Sequence, residues 1–236
     1  MKPILTFKAF SKNAALVTAL IGSAVFFNSC KNDIDNTSPG IAALSIINAY
    51  PSTNTLDFYI GGQRLNNTGF AFGGKIDYFT AYEGTHTSKV TLNNSATTLA
   101  NKSIPLKAGV YHSLYLVGAA ADSVQYLLLD DQISQPAAGK AHVRFINLSP
   151  NTTDLSLELT GDTTGFKNKA FKGFTNFKPV TAAKSSFVLR NAANGVVATR
   201  DTVNLQNGKI YTIYAKGLAT GGTDATKLSI AVSLHQ

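Results

Sequence analysis

Tryptophan is absent from this 236-residue sequence, and cysteine and methionine occur once each. The lone cysteine, Cys30, has no partner for an intramolecular disulfide, which excludes a disulfide-stapled scaffold. The missing tryptophan removes the largest aromatic platform open to a carbohydrate site. Carboxylates are scarce, 13 against 21 basic residues, for a formal net charge of +8. The basic residues form no dense run of the kind that tracks a phosphate backbone, so nucleic acid is not an expected partner.

Signatures of catalysis are missing as well. No Cys-x-x-Cys, His-Glu-x-x-His, Gly-x-Ser-x-Gly or Walker-type loop occurs. The four histidines, His86, His112, His142 and His235, lack the spacing that sets two ligands on one element, and they read as surface or strand-end residues. Asp130 and Asp131 are neighbours whose side chains diverge at a presumed linker, whereas glycosidase chemistry needs two carboxyls about 5–10 Å apart across a cleft. These absences point away from an enzyme and from a bound metal or cofactor.

Long apolar runs are missing too, with one short exception. Lys2, Lys8 and Lys12 precede the 14-residue run Ala14 to Phe27, shorter than the roughly 20 residues that cross a bilayer as a helix. A basic start before a short apolar stretch is a secretory signal, so residues 1–29 are expected to be removed. Phe27-Asn28-Ser29-Cys30 resembles the lipobox of bacterial lipoproteins, with Ser29 before the cut and Cys30 the acylated new N-terminus. Two or more acyl chains, each contributing about 0.8 kcal/mol per buried methylene, hold a protein stably on a membrane without spanning it. The expected location is the outer membrane, lipid-anchored at its periplasmic face or at the cell surface. Loss of the signal leaves 18 basic and 13 acidic residues, a net +5 that favours solubility and weak attraction to anionic surfaces. Residues 30–41 then supply the acylated cysteine and a polar tether with a Pro39-Gly40 pair. Its opening, Lys31 to Asp35, is either a solvated linker or a loose resemblance to the surface-export signal of Bacteroidetes lipoproteins.

What the chain does contain is a repeat. Ile47-Asn48-Ala49-Tyr50-Pro51 and the run Leu56 to Ile60 return 99 positions later as Ile146-Asn147-Leu148-Ser149-Pro150 and Leu155 to Leu159. Ala42 to Gly118 lies on Ala141 to Gly217 without a gap, through pairs such as Gly62/Gly161, Phe72/Phe171, Gly109/Gly208 and Tyr115/Tyr214. A period near 100 is the length of a small domain, so the pattern is a tandem duplication: repeat 1 over 42–131, a linker over 132–140, repeat 2 over 141–236. Leu155, Leu157 and Leu159 alternate with Asp154, Ser156 and Glu158, and Leu228, Ile230, Val232 and Leu234 alternate with Ser229, Ala231, Ser233 and His235. Alternation of this kind predicts strands with one face buried and the other in solvent. Turn clusters such as Gly61-Gly62, Asn93-Asn94 and Asn207-Gly208 divide each repeat into roughly seven short strands, and no capped helical stretch interrupts them. The fold class is all-β, two tandem immunoglobulin-like or prealbumin-like β-sandwiches. Asn48 and Asn147 are expected to bond backbone at a strand edge, with Pro51 and Pro150 setting the following turn.

Leu205, Gly208 and Tyr211 have a spacing that resembles the tyrosine corner of immunoglobulin-like sandwiches, in which the hydroxyl bonds nearby backbone. Repeat 1 has Leu106 and Gly109 but His112 in the tyrosine's place, so either the corner is degenerate there or His112 substitutes as the donor. Taken together, the Ile-Asn-x-x-Pro opening, the alternating strand after it and the stretch Ala108 to Gly118 resemble the domain of unknown function 4397 family. The resemblance implies an exported bacterial sandwich protein, often a Bacteroidetes lipoprotein with tandem copies, and brings no catalytic residues. Repeat 2 departs from it at Leu157-Glu158-Leu159, which replaces the aromatic-containing strand.

Two further groups of residues carry chemistry. The segment from Phe166 to Lys178 interleaves phenylalanines with lysines and has no acid. Phe166, Lys167, Lys169, Phe171, Lys172 and Phe174 are the candidate ligand residues, suited to a sugar, a polyanionic glycan or a lipid headgroup; the alternative is that the aromatics are core and the lysines solvated. Ser123, Thr163 and Thr202, each preceded by an aspartate, resemble Bacteroidetes O-glycosylation sites. The sequence thus reads as a non-catalytic envelope lipoprotein for adhesion, ligand binding or envelope assembly, with a glycan or an envelope protein as partner. The alternative is an envelope enzyme or an accessory subunit of a polysaccharide-processing system. The anchor is checked by fractionation: Cys30→Ala is expected to leave the membrane pellet, and full retention there refutes lipidation.

Overall fold

The computed structural model describes residues 38–118 and 123–235, with 163 and 164 described by backbone alone, so the signal, Cys30 and the tether up to residue 37 lie outside the described residues. Repeat 1 supplies β1 (Ile41–Asn48), β2 (Leu56–Ile60), β3 (Gln63–Arg64), β4 (Lys75–Tyr82), β5 (Gly84–Leu92), β6 (Thr98–Leu106), β7 (Tyr111–Val117) and β8 (Gln125–Asp131). Repeat 2 supplies β9 (Lys140–Asn147), β10 (Leu155–Leu159), β11 (Asp162–Lys169), β12 (Lys178–Thr181), β13 (Lys184–Arg190), β14 (Val196–Asn204), β15 (Ile210–Lys216) and β16 (Ser229–His235). The described residues are all-β, with eight strands per repeat rather than about seven, and contain no helix.

The two repeats share one topology. Repeat 1 forms sheets ordered β4-β1-β7-β8 and β3-β2-β5-β6, and repeat 2 forms β12-β9-β15-β16 and β11-β10-β13-β14. In each, the first strand lies parallel to the seventh, β1 on β7 and β9 on β15. A parallel pair needs a long crossover, and here the other sheet of the sandwich supplies it. Between the sheets of repeat 1 lies a core that includes Leu44, Ile46, Phe58, Val90, Leu114 and Leu116. The equivalent core of repeat 2 includes Val143, Phe145, Leu157, Phe166, Phe187 and Ile213.

A third apolar layer joins the sandwiches. Ile47, Tyr115, Val117 and Leu129 of repeat 1 meet Ile146, Leu148, Tyr214 and Ala231 of repeat 2. The β1 and β9 sheets therefore pack on both faces, and the described residues between 38 and 235 form a stack of four sheets. This corrects the expectation of one solvated face per strand. On β16 the supposed outer residues Ala231, Ser233 and His235 are buried, while Val232 and Leu234 of the apolar row are only partly so. Ser113 on β7 and Ser45 on β1 are likewise buried polar residues in this layer. Asp131, which reads as linker, closes β8 with its side chain fully buried.

The repeated asparagines have a clear task. Asn48 and Asn147 close β1 and β9, which are interior strands of their sheets rather than edges. Asn147 Nδ2 donates to the Lys169 carbonyl at 2.9 Å, and its Oδ1 accepts from the Ser149 amide at 3.0 Å. Asn48 repeats both bonds, with the Phe70 carbonyl at 2.9 Å and the Tyr50 amide at 3.1 Å. The main chain completes the clamp: the Asn147 amide donates to Gly173 O at 3.0 Å, and its carbonyl accepts from Lys172 N at 2.7 Å. A fully buried Asx turn of this kind fixes the 169–173 loop against β9.

The corner is present in both repeats. Tyr211 Oη accepts the Gln206 amide at 3.0 Å, and His112 Nε2 accepts the equivalent Lys107 amide at 3.0 Å. His112 thus takes the tyrosine's place as an acceptor, not as the expected donor, and its Nδ1 lies 3.0 Å from Asp130 Oδ1. Full burial of His112 also overturns the surface reading for that residue. Asn147→Ala should destabilise the fold by about 2–4 kcal/mol in urea unfolding, because a part-buried carbonyl and a buried amide both lose partners; a change under about 0.5 kcal/mol contradicts the clamp.

Candidate functional site at the joint between the repeats

The structure divides the six candidate ligand residues. Phe166 faces inward from β11 and is fully buried in the second core, with Lys178 Nζ 5.1 Å from its ring centroid. It offers no face to a ligand, which corrects its place among the candidates. Phe171 is half-buried and packs against the layer between repeats. Lys172 adopts a left-handed φ of 66°, where repeat 1 has Gly73 at 85°, and its Nζ donates to Gln125 Oε1 at 2.5 Å. Burial, then the nearby Lys102 charge, holds the Lys172 ammonium below its usual pKa. Phe171 and Lys172 are therefore engaged across the joint, and Lys167, Lys169 and Phe174 remain at the surface.

Phe174 is 44% exposed, and it is the wall between two open clefts. Its backbone is pinned to β9 by a bridge to Ile146, by the Thr175 amide donating to Phe145 O at 3.0 Å, and by Thr175 Oγ1 accepting the Phe145 amide at 3.0 Å. The first cleft, about 350 Å³, lies at the joint, between Leu128, Asp130 and Gln132 on one side and Arg144, Asn176 and Phe177 on the other. The second, about 480 Å³, is lined by Gly165, Lys167, Lys169, Asn176 and Lys178. Lys178, on β12, completes the basic wall in place of Lys172.

Beneath the first cleft runs a closed polar circuit that sequence reading missed. Arg144 Nη2 meets Asp131 Oδ1 at 2.5 Å, and its Nε donates to Thr212 Oγ1 at 2.8 Å. Thr212 Oγ1 is 2.7 Å from His235 Nε2, and His235 Nδ1 is 2.8 Å from Tyr78 Oη. Tyr78 donates to Asp131 Oδ2 at 2.5 Å, and Ser113 adds a second donor there at 2.6 Å. Since Thr212 receives a hydrogen from Arg144 and Tyr78 gives its own to Asp131, consistent bonding places the His235 proton on Nδ1 and leaves Nε2 as acceptor. Burial, reinforced by the Asp131 charge, pushes the Tyr78 pKa up. For Arg144, burial lowers the pKa, but the Tyr115 hydroxyl oxygen that accepts from its Nη2 at 3.2 Å and the Asp131 carboxylate outweigh it, so the guanidinium stays charged. The arginine plane also lies 4.7 Å from the Phe177 ring centroid.

Elsewhere, Ser123 and Thr202 are exposed, and Thr163 is described by its backbone alone. Thr202 has a left-handed φ of 51°. Among the described residues, no group of three or more His, Cys, Asp or Glu is arranged to hold a metal ion. No described helix is long and apolar enough to cross a membrane.

Two equivalent sandwiches joined face to face, with clefts at the joint, make this a tandem β-sandwich protein. The chain belongs to the family of the Domain of unknown function (DUF4397), whose family model matches residues 42–158, which covers repeat 1, β9 and most of β10. The remainder of repeat 2, as far as Gly217, reproduces the matched stretch of repeat 1 at a spacing of 99 residues. No curated protein matches the chain. Solved structures similar to it include a family 41 carbohydrate-binding module of streptococcal virulence factors that recognises α-glucan, at 10% identity and a TM-score of 0.26, over 80% of this chain and 96% of that one. A family CBM26 module from Eubacterium rectale, in complex with maltoheptaose, aligns at 11% identity and a TM-score of 0.23, over 82% and 96%. A putative cell adhesion protein from Parabacteroides distasonis aligns at 10% identity and a TM-score of 0.22, over 84% and 99%. Likenesses this weak carry no argument about this chain, and the sandwich assignment stands on its own strand order.

His235 gives a pH dependence. Burial lowers its pKa from 6.5 to about 4; the Asp131 charge opposes the shift, while Arg144 and Lys75 reinforce it. The unfolded chain therefore takes up a proton near pH 6.5 that the folded protein refuses, so stability is lost as pH falls from about 6.5 to about 4, by up to about 3 kcal/mol. Denaturant titrations at pH 7, 5.5 and 4 should show this loss, and His235→Gln should flatten it; equal slopes in the two proteins contradict the assignment.

Proposed function

We propose that this is a lipid-anchored lipoprotein of the outer membrane whose two-sandwich body is a non-catalytic, glycan-binding module, with its site against Phe174. The lone Cys30 at a lipobox-like cut supports the anchor. The binding reading is carried by Phe174, an exposed ring on a backbone pinned to β9, set between two concave surfaces. A sugar ring stacks its C–H face on such an aromatic, while amides such as Asn176 and Gln132 can both donate to and accept from hydroxyls. Binding is favoured over catalysis because Asp131, His235 and Tyr78, the acid–base groups under the cleft, are bonded to one another. Among the described residues, repeat 1 does not reproduce this arrangement. At the position of Phe174, repeat 1 has Lys75, whose ammonium is engaged by the Leu234 carbonyl and by Asp77, each at 2.8 Å. Phe174→Ala should weaken binding of glycans selected from an oligosaccharide array by at least tenfold, without moving the melting temperature by more than a degree or two. If the wild-type protein retains no glycan on the array, the reading fails.

A further inference from the structure

The lysine-lined cleft beyond Phe174 sets the class of sugar. Lys167, Lys169 and Lys178 bring three ammonium groups to one concave surface. The nearest carboxylate, Glu158, meets Lys167 Nζ at 3.4 Å but is already held by Arg190 Nε at 2.7 Å. Lys178 Nζ reaches the Gly165 carbonyl at 3.3 Å and the Phe166 ring at 5.1 Å, and neither neutralises its charge. Among the described residues, neither Lys169 nor Lys178 makes an ion pair. The fold does not require these charges, since Thr68, Phe70 and Phe79 stand at the equivalent positions of repeat 1, 99 residues earlier. The cleft on the other side of Phe174 is electrically balanced: Asp131 meets Arg144 at 2.5 Å, and Lys107 Nζ meets Asp130 at 2.6 Å. One aromatic ring thus separates a neutral subsite from a cationic one, and the two share Thr175 and Asn176 as a common wall.

We infer that the groove takes an acidic polysaccharide in which an anionic sugar sits in the lysine-lined cleft and a neutral neighbour sits in the cleft at the joint. The inference rests on the glycan-binding reading above and adds the charge and order of the sugars. Two cationic side chains without carboxylate partners form a field that favours a carboxylate or sulfate, and the exposed ring and the amides favour a pyranose over a peptide side chain.

Calorimetric titration of the folded protein with octasaccharides of hyaluronan and chondroitin, in which acidic and neutral sugars alternate, each beside its carboxyl-reduced form, tests this. At least one acidic ligand should bind tenfold or more tightly than its reduced counterpart, and raising salt from 50 to 500 mM should close that gap. A variant carrying Lys167→Gln, Lys169→Gln and Lys178→Gln should lose the preference but keep binding to the reduced form, whereas Phe174→Ala should weaken both. Equal affinity for acidic and reduced forms overturns the inference and leaves the glycan site standing. Equal binding of oligoglutamate marks a general anion surface and also overturns it. No binding of any oligosaccharide removes both readings.

Discussion

A buried charge sets the terms for the whole molecule. Asp131, at the end of repeat 1, has no side-chain exposure, and its counterion, Arg144, comes from repeat 2 and is itself 3% exposed. Removing one partner of such a pair costs about 3–5 kcal/mol, because the other is left charged in an apolar layer. The repeats therefore cannot slide or part without stranding a charge. That requirement joins two sandwiches, each with its own core, into the single compact unit Ser38–Gln236. It also gives the cleft above Arg144 a fixed floor, on which the Phe177 ring rests.

The joint has the character of an isologous interface closed within one chain. Equivalent residues meet across it: the rings of Tyr115 and Tyr214, 99 positions apart, have centroids separated by 6.1 Å. The ladders make Asp131 and His235 equivalent as well, since Asp131 pairs with Tyr111 and His235 pairs with Ile210, its counterpart in repeat 2. Two identical copies meeting in this way would place like side chains in the same layer. After duplication the positions diverged into complementary types, with Asp131 against His235, Ser113 against Thr212, and Tyr78 against Phe177. The same divergence produced the surface asymmetry, since Phe174 and its lysines replace Lys75 and neutral residues of repeat 1.

Much of the local architecture was legible before any coordinates. The Asn48 and Asn147 turns, the Tyr211 corner and the inward leucines of β10 all depend on contacts whose sequence signature is short: a turn-forming amide, a fixed spacing, a period of two. The histidine corner was half legible, because its spacing showed at Leu106 and Gly109 but the direction of the hydrogen bond did not. The buried face of β16 was illegible for a physical reason. Ser233 and His235 look solvated in a period-two pattern, and the partner that buries His235, Tyr78, lies 157 residues away. Polarity alone does not distinguish a side chain bonded to water from one bonded to a distant hydroxyl.

Among the ligand candidates the division follows the same line. Composition could collect phenylalanines and lysines between 166 and 178, but it could not sort the inward Phe166 and the joint-bound Lys172 from the exposed Phe174. The sequence by itself determined the all-β class, the 99-residue duplication and the turns that begin each sandwich, because each is written in neighbours close along the chain. Only the tertiary structure decided that the two sandwiches share a buried polar layer and that one ring stands between a neutral and a cationic cleft. Those features depend on pairing residues of repeat 1 with residues of repeat 2, and a one-dimensional pattern does not record which distant side chains will meet the needs of a buried charge.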